Sequence, residues 1–374
     1  MFLSKRGNFG QHMKFLRFCS TSPGFLRYGK DPAPFFIDPQ VQKLLKSVTG
    51  INYDKIFSKL SKKENLVDLQ FMTAEKLQKQ VKVAHHRAQK LLQMPPIVKV
   101  HEENLRIISQ EPEMDGFSDS KYVAIDISFD VKDTKRVVLV RHQNGNLETA
   151  PLDVRKRVTQ IYVPHENRKI TKPKMFEPEF FERVLEEQKY EFILDRACTQ
   201  FEPYEQEYHD ITSQTYQHIN KNKRFNDLRS TRHFGTMTFF LAWHKMIDDL
   251  LLDCLKRGFL RNAVEIILLH HKLHAISDEE AVQKCLTENP DTRDVAKEYY
   301  EAMISGTNHG MHQKIDYDAE KIKQENARDE AFLQQIEQYA KSHGVKKIFL
   351  ETAIQTCREE MEKKMGDARQ VASS

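Results

Sequence analysis

At 374 residues the chain exceeds what one ordinary core organises, so two or three compact units are expected. Its 39% hydrophobic and 30% charged residues place it towards the solvated end of the globular range, and its longest apolar runs, such as Phe239 to Trp243 and Ile266 to Leu269, fall far short of the roughly 18 residues of a membrane span. The five cysteines (Cys19, Cys198, Cys254, Cys285, Cys357) are scattered, odd in number and without a CxxC pair, which signals neither a disulfide framework nor a zinc cage and fits a reducing compartment.

The first residues differ from the rest. Lys5, Arg6, Lys14, Arg17, Arg27 and Lys30 occur with hydroxyls at Ser4, Ser20, Thr21 and Ser22, and no acidic residue precedes Asp31. That is the composition of a mitochondrial transit peptide, assigned to residues 1–22, with a basic tail as the plain alternative. Phe15, Leu16 and Phe18 interleave with Lys14 and Arg17 as in a short amphipathic helix, and Arg17-Phe18-Cys19-Ser20 resembles a matrix-protease site. Cleavage near Ser20 removes four of the 58 basic residues and leaves basic and acidic residues equal at 54. A neutral mature chain implies local nucleic-acid contacts, with protein partners supplying much of the remaining surface.

Residues 23–39 read as an extended linker ending in a helix cap, Asp38 before Pro39. Val41, Leu44, Leu45 and Val48 then predict a helix stopped by Gly50. A short helix is expected to turn Tyr53, Ile56, Phe57 and Leu60 inward. Another begins at Thr73 with Leu77, Val81, Ala84, Ala88 and Leu91 on one face and ends before Pro95-Pro96. Strict alternation of Val123, Ile125, Ile127, Phe129 and Val131 with Ala124, Asp126, Ser128 and Asp130 predicts a strand with one buried face. Arg136 to His142 reads as a second strand, and Asn144-Gly145 as a two-residue hairpin turn into Leu147 to Thr149. Residues 40–175 are therefore a mixed region with a small antiparallel sheet, closing with a helix over Pro151 to Tyr162.

From Glu177 the patterns are helical, and residues 176–310 are expected to form a helical domain. Phe239, Trp243, Met246, Leu250 and Cys254 step along one predicted helix, opposite Lys245, Asp248, Asp249 and Asp253, with Gly258 as its stop. Val264, Ile267, Leu268 and His271 continue as the second arm of a helical hairpin. Helices are also expected over Asp278 to Leu286 and Thr292 to Ile304. Beyond Gly306 to Gly310, residues 311–374 form a charged helical tail, over Tyr317 to Ala340 and Ile348 to Lys364, that suits either a partner's surface or a solvated appendage. The fold class is α+β, mostly α-helical, with a small antiparallel hairpin sheet in the N-terminal half and a helical C-terminal half.

Reaction chemistry finds no candidate. His270 and His274 have the four-residue spacing of a zinc protease, but His271 stands where the motif needs glutamate, so packing and surface roles are expected. His85 and His86 are adjacent on a helix and diverge. Asp248, Asp249 and Asp253 read as a solvated helix face rather than an acid/base or metal set. No phosphate-cradling glycine loop occurs. No catalytic residue, cofactor, metal or small-molecule substrate is assigned, and no membrane span is expected.

Two basic stretches remain as candidate RNA or partner contacts. The first comprises Arg155, Lys156, Arg157, Arg168, Lys169, Lys172 and Lys174. The second comprises Lys221, Lys223, Arg224, Arg229 and Arg232, interleaved with Phe225, His233 and Phe234. Guanidinium forks grip phosphates and aromatic faces stack on unpaired bases. Solvated faces are the plain alternative. Arg229 or Arg232 pairing with a carboxylate inside the domain, and Ser230 or Thr231 capping the following helix, are the others.

The string Leu228-Arg229-Ser230-Thr231-Arg232-His233-Phe234-Gly235 resembles the mitochondrion-specific small-subunit ribosomal protein family conventionally numbered twenty-two. Val48-Thr49-Gly50-Ile51-Asn52, Met94-Pro95-Pro96, Lys121-Tyr122-Val123 with Asp126-Ile127-Ser128, and Gln200-Phe201-Glu202-Pro203 match in the family's order and extend the resemblance over roughly Phe36 to Leu273. Thr236 stands where the family pattern has glycine, and the tail beyond Gly310 has no counterpart. The resemblance implies a structural component of the mitochondrial small subunit without a bacterial counterpart. Its partners would be neighbouring ribosomal proteins and small-subunit ribosomal RNA, and it would have no enzymatic role. A matrix RNA-processing or translation-regulating factor is the alternative, although no 34-residue helical repeat is present. A metalloenzyme using His270 and His274 is the third reading.

Overall fold

A computed structural model of the chain describes residues 26–58, 73–101, 105–116, 118–133, 135–290 and 319–373. Its first helices begin where side-chain chemistry places them. The Asp38 carboxylate accepts the Gln40 N–H at 2.9 Å, and α2 (Pro39–Thr49) buries Val41, Leu45 and Val48. Gly50, at φ +66°, ends the helix with its N–H on the Ser47 carbonyl, a conformation that suits a residue without a Cβ. From residue 26 onward, the segment read as a linker is anchored, not extended. It forms α1 (Ala33–Ile37), Phe36 lies edge-on to Phe239 at 5.3 Å, and Tyr28 meets Phe240 and Trp243. Its aromatic content was the signal of burial.

Helices α3 (Tyr53–Ser58) and α4 (Ala74–Leu91) enclose a satellite cluster of Tyr53, Ile56 and Ala88. Thr73 caps α4 through the Lys76 N–H. Along the predicted α4 stripe only Ala88 is buried, while Leu77, Val81 and Ala84 are half-buried and Leu91 is exposed. Leu60, the predicted helix over Thr292 to Ile304, the Gly306 to Gly310 break and residues 1–22 lie outside the described residues.

The sheet has four antiparallel strands, β1 (Ile107–Gln110), β2 (Tyr122–Ile125), β3 (Val138–Arg141) and β4 (Asn146–Thr149), in the order β1-β4-β3-β2. β1 has no clean alternation and was not anticipated. The β3–β4 turn also differs from expectation. Gly145 donates to the His142 carbonyl and His142 to the Asn146 carbonyl, and only Gly145, at φ +78°, is left-handed. That is a longer loop with a glycine bulge, not the two-residue turn, which needs positive φ at both Asn144 and Gly145.

The largest departure is the predicted strand over Val123 to Val131, which stops at Ile125. Arg136 explains it. Its buried guanidinium donates to the carbonyls of Asp126 (2.6 Å), Ser128 (3.2 Å) and Val131 (2.8 Å). These carbonyls point at one cation and cannot form a ladder, so Ile127 and Phe129 stand 70% and 94% exposed.

After the sheet in the chain come α5 (Leu152–Tyr162), α6 (Pro178–Glu186), α7 (Tyr190–Gln200), α8 (Gln206–Asn222), α9 (Phe234–Trp243), α10 (Asp248–Lys256), α11 (Leu260–His274), α12 (Glu279–Glu288), α13 (Ala319–Ser342) and α14 (Lys347–Ser373). The single helix predicted through Phe239 and Cys254 is two helices. The chain breaks at His244 to Ile247, where Lys245 takes φ +58°. The stepped residues Phe239, Leu250 and Cys254 still share the core. Gly258, at φ +72°, stops α10 as expected.

Helix α11 is the axis of the molecule. Every residue from Ala263 to His271 is buried, and α2, α9, α10, α12 and α13 all pack on it. One apolar cluster runs from Phe36 to Ile354, so the tail helices α13 and α14 cover the body of their own chain through Phe332, Leu333, Ile336, Tyr339, Leu350 and Ile354. The fold is mostly helical α+β with a small antiparallel sheet.

The acidic face of α10 is not solvated. Asp248 is 5% exposed and accepts the Tyr339 hydroxyl at 3.2 Å and the Lys346 N–H at 2.6 Å. Asp249 pairs with Lys346 and Lys223, and Asp253 with Arg229 and Arg257. These carboxylates hold the tail and the Arg229 segment to the core.

Candidate functional site

The first basic stretch lies on α5 and the loop after it, and three of its seven cations are spent inside the molecule. Arg155 donates to the carbonyls of Asp133 and Arg136 at 2.9 and 2.7 Å. Lys156 sits 2.7 Å from the buried carboxylate of Glu205, whose pKa is raised by burial against the pull of Lys156. Arg168 meets Glu202 at 2.7 Å and the Thr199 carbonyl at 3.1 Å. Three cations therefore fasten α5 and the loop after it to the segment before β3 and to the α7–α8 corner. The cavity left among them is about 30 Å³, room for about one water.

The other members of this stretch face solvent. Arg157, Lys169, Lys172 and Lys174 are exposed, and no ion pair engages them among the described residues. Exposed Ile161, Tyr162 and Ile170 lie in the same stretch. Sequence reasoning did not single out these three, because helical spacing does not show which side of an isolated helix the body covers.

The second stretch divides more sharply. Lys221, Lys223 and Arg224 are exposed at the end of α8, with Lys223 3.8 Å from Asp249 and Arg224 3.2 Å from Asp227. Arg229 is 9% exposed. Its guanidinium lies over the rings of Phe234 and Phe259, 4.9 and 4.5 Å from their centroids, and 3.3 Å from Asp253. Arg232 and His233 both bond Asp195 Oδ1, at 2.7 and 2.8 Å. Partial burial pushes that carboxyl up, but His233 and Arg232 outweigh it and hold its pKa below the usual range.

Phe234 is fully buried, so no base can stack on it. Thr231 Oγ1 donates back to the Leu228 carbonyl, and Lys55 ties off the carbonyls of Asn226, Asp227 and Arg229. The internal-pairing alternative describes Arg229 and Arg232, and Arg229 and Phe234, read as candidates for RNA or partner contact, are buried in this chain. Sequence reasoning missed Lys55, since a lone lysine on a short helix carries no pattern.

The histidines pack within the body. His270 and His271 are buried on α11, and His274 bonds the Ala242 carbonyl. Among the described residues no three His, Cys, Asp or Glu side chains are grouped to hold a metal ion, and no helix is long and apolar enough to cross a membrane.

Residues 34–275, which run from the start of α1 to the left-handed Ala275 that caps α11, match the family model of the mitochondrial 28S ribosomal protein S22. The chain belongs to that family. It is similar to the small ribosomal subunit protein mS22 of Mus musculus, 30% identical over 264 residues that cover 71% of this chain and 73% of the relative. The mS22 of Bos taurus is 32% identical over 241 residues, 64% and 67% of the two chains. The S22 family region contains both basic stretches, the sheet and α11. Helices α12 to α14 lie beyond it, although they share its core.

Proposed function

We propose that the chain is a structural constituent of the mitochondrial ribosome's small subunit, supporting translation in the matrix through contacts with neighbouring ribosomal proteins and ribosomal RNA, without catalysis of its own. The observation that carries this reading is the family match across 34–275, the region that contains both basic stretches and most of the core. The acid-free basic composition of residues 1–22 supports import from the cytosol with removal of a presequence. Amino-terminal sequencing of the protein isolated from mitochondria tests that step.

Arg157, Lys169, Lys172 and Lys174 are the cations best placed for phosphate, because they are exposed and not drawn into internal pairs. Lys221, Lys223 and Arg224 form a second, partly neutralised set. The test is sedimentation of mitochondrial lysate on a gradient, where the chain should travel with the small subunit. A chain found only in ribosome-free fractions with messenger RNA would reject the assignment in favour of an RNA-processing factor. Reversing charge at Arg157→Glu, Lys169→Glu and Lys172→Glu together should leave thermal stability unchanged, lower incorporation and reduce the salt dependence of RNA binding. Unchanged RNA binding by the triple variant would assign this face to protein.

A further inference from the structure

Residues 122–131 carry a sequence pattern that the chain's own fold leaves unused. The alternation of Val123, Ile125, Ile127, Phe129 and Val131 encodes a strand with one apolar side, yet β2 ends at Ile125. β2 is also an edge, paired with β3 alone. In its register Tyr122 faces Arg141, Ala124 faces Leu139, and the Asp126 N–H donates to the Val137 carbonyl. Antiparallel ladders alternate their hydrogen-bonded pairs, so the backbone N–H and C=O groups of Val123 and Ile125 point away from β3 to the open side. Among the described residues nothing bonds them.

Chains that must avoid pairing protect such edges with charge, proline or a bulge. Tyr122–Ile125 has none of these, whereas the opposite edge, β1, has its register broken between Ile107 and Ser109. The continuation is held in shape. Arg136 gathers the carbonyls of Asp126, Ser128 and Val131, the Asp126 carboxylate accepts the Ser128 N–H at 2.9 Å, and Asp130 takes φ +63°. Ile127 and Phe129 are thereby fixed outward, and exposed Val137 lies just before β3, its carbonyl accepting the Asp126 N–H.

The geometry points to a strand-docking edge, where an extended apolar segment of a neighbouring protein adds to β2 through the backbone of Val123 and Ile125 and covers Ile127 and Phe129. Charge complementarity selects protein over RNA. The edge itself is uncharged, and its rim mixes Lys121, Lys132 and Lys135 with Asp119, Asp126 and Asp130, which accumulates no positive field for phosphates but suits a segment of mixed sign. This inference rests on the ribosomal reading only for where the neighbour is found.

The experiment replaces Phe129 with the photo-crosslinking residue p-benzoylphenylalanine in full-length protein in mitochondria, and maps adducts across gradient fractions. In parallel, amide exchange at Val123 and Ile125 is compared between free protein and purified subunit. Expected are an adduct to one protein segment with alternating apolar residues, and exchange slowed at least tenfold in the particle. Ile125→Pro removes an N–H that β3 does not use, so it should retain folding while abolishing the adduct, and Phe129→Ala should weaken docking with the backbone intact. An adduct to RNA or to this chain's own residues, an adduct without amide protection, or Ile125→Pro docking like the natural protein would each overturn the inference. Absence of the chain from subunit fractions would instead overturn the ribosomal reading.

Discussion

Arg229→Ala separates a cation that grips RNA from one that braces the core. In the structure the guanidinium is sandwiched between Phe234 and Phe259, at 4.9 and 4.5 Å, in a setting only 9% exposed. Each desolvated cation–ring contact is worth about 1 kcal/mol or somewhat more. Loss of the aliphatic stem's packing adds to this. Asp253 would keep Arg257, 2.9 Å away, so the penalty of an orphaned buried charge, about 3 to 5 kcal/mol, should be largely avoided. The sum is about 3 kcal/mol, which corresponds to a fall in Tm of roughly 6 to 12 °C at about 2 to 4 °C per kcal/mol. Thermal unfolding followed by circular dichroism measures it, with Arg229→Met, which keeps the stem between the rings, expected to recover about half by the same packing argument. A variant with unchanged Tm and weakened RNA binding would refute the bracing role.

Other expectations follow from the same geometry. Asp248→Ala removes the acceptor of the Tyr339 hydroxyl and the Lys346 N–H, leaving two inward-facing donors at a cost of about 2 to 4 kcal/mol; limited proteolysis should then cut between α13 and α14 faster, and an unaltered cleavage rate would contradict the anchoring role. Gly145→Ala places a Cβ 1.9 Å from the Glu111 carbonyl oxygen at φ +78°, and should cost at least about 2 kcal/mol, read as faster amide exchange in β3 and β4.

The histidine packing gives a pH dependence. Burial lowers the pKa of His270 to about 3 and that of His244 to about 4. For a base depressed in the folded state the unfolded chain takes up the proton first, so stability is full above about pH 6.5 and falls as pH drops towards these values. Between pH 6.5 and 5, His270 alone should cost roughly 2 kcal/mol, measured as a lower urea midpoint. A midpoint that does not move over that range would disprove the effect.

Local signals in the chain were enough for much of this description. Asp38-Pro39 and Gly50 mark the ends of α2 because a cap and a left-handed stop act within a few residues. The helical class, both tail helices and the glycine-containing hairpin are readable for the same reason, since their periodicities and turn residues need no distant partner. The ordered run of strings around Leu228 to Gly235 was sufficient to indicate the family. The exposed members of the basic stretches were legible as a composition, though not as a surface.

What only tertiary structure decided is where each charge and each apolar side ends up. Arg229 and Phe234 look like an RNA-binding pair in sequence and become a buried brace, because Phe259 and Asp253, more than twenty residues away, arrive from the other side. The carboxylates of α10 look solvated until α13 and α14 fold back over them. Arg136 curtails a strand that its neighbours would otherwise continue, as one guanidinium satisfies three carbonyls that a ladder would need. Periodicity specifies that a residue prefers burial or partnership; which partner reaches it depends on packing between segments far apart in the chain.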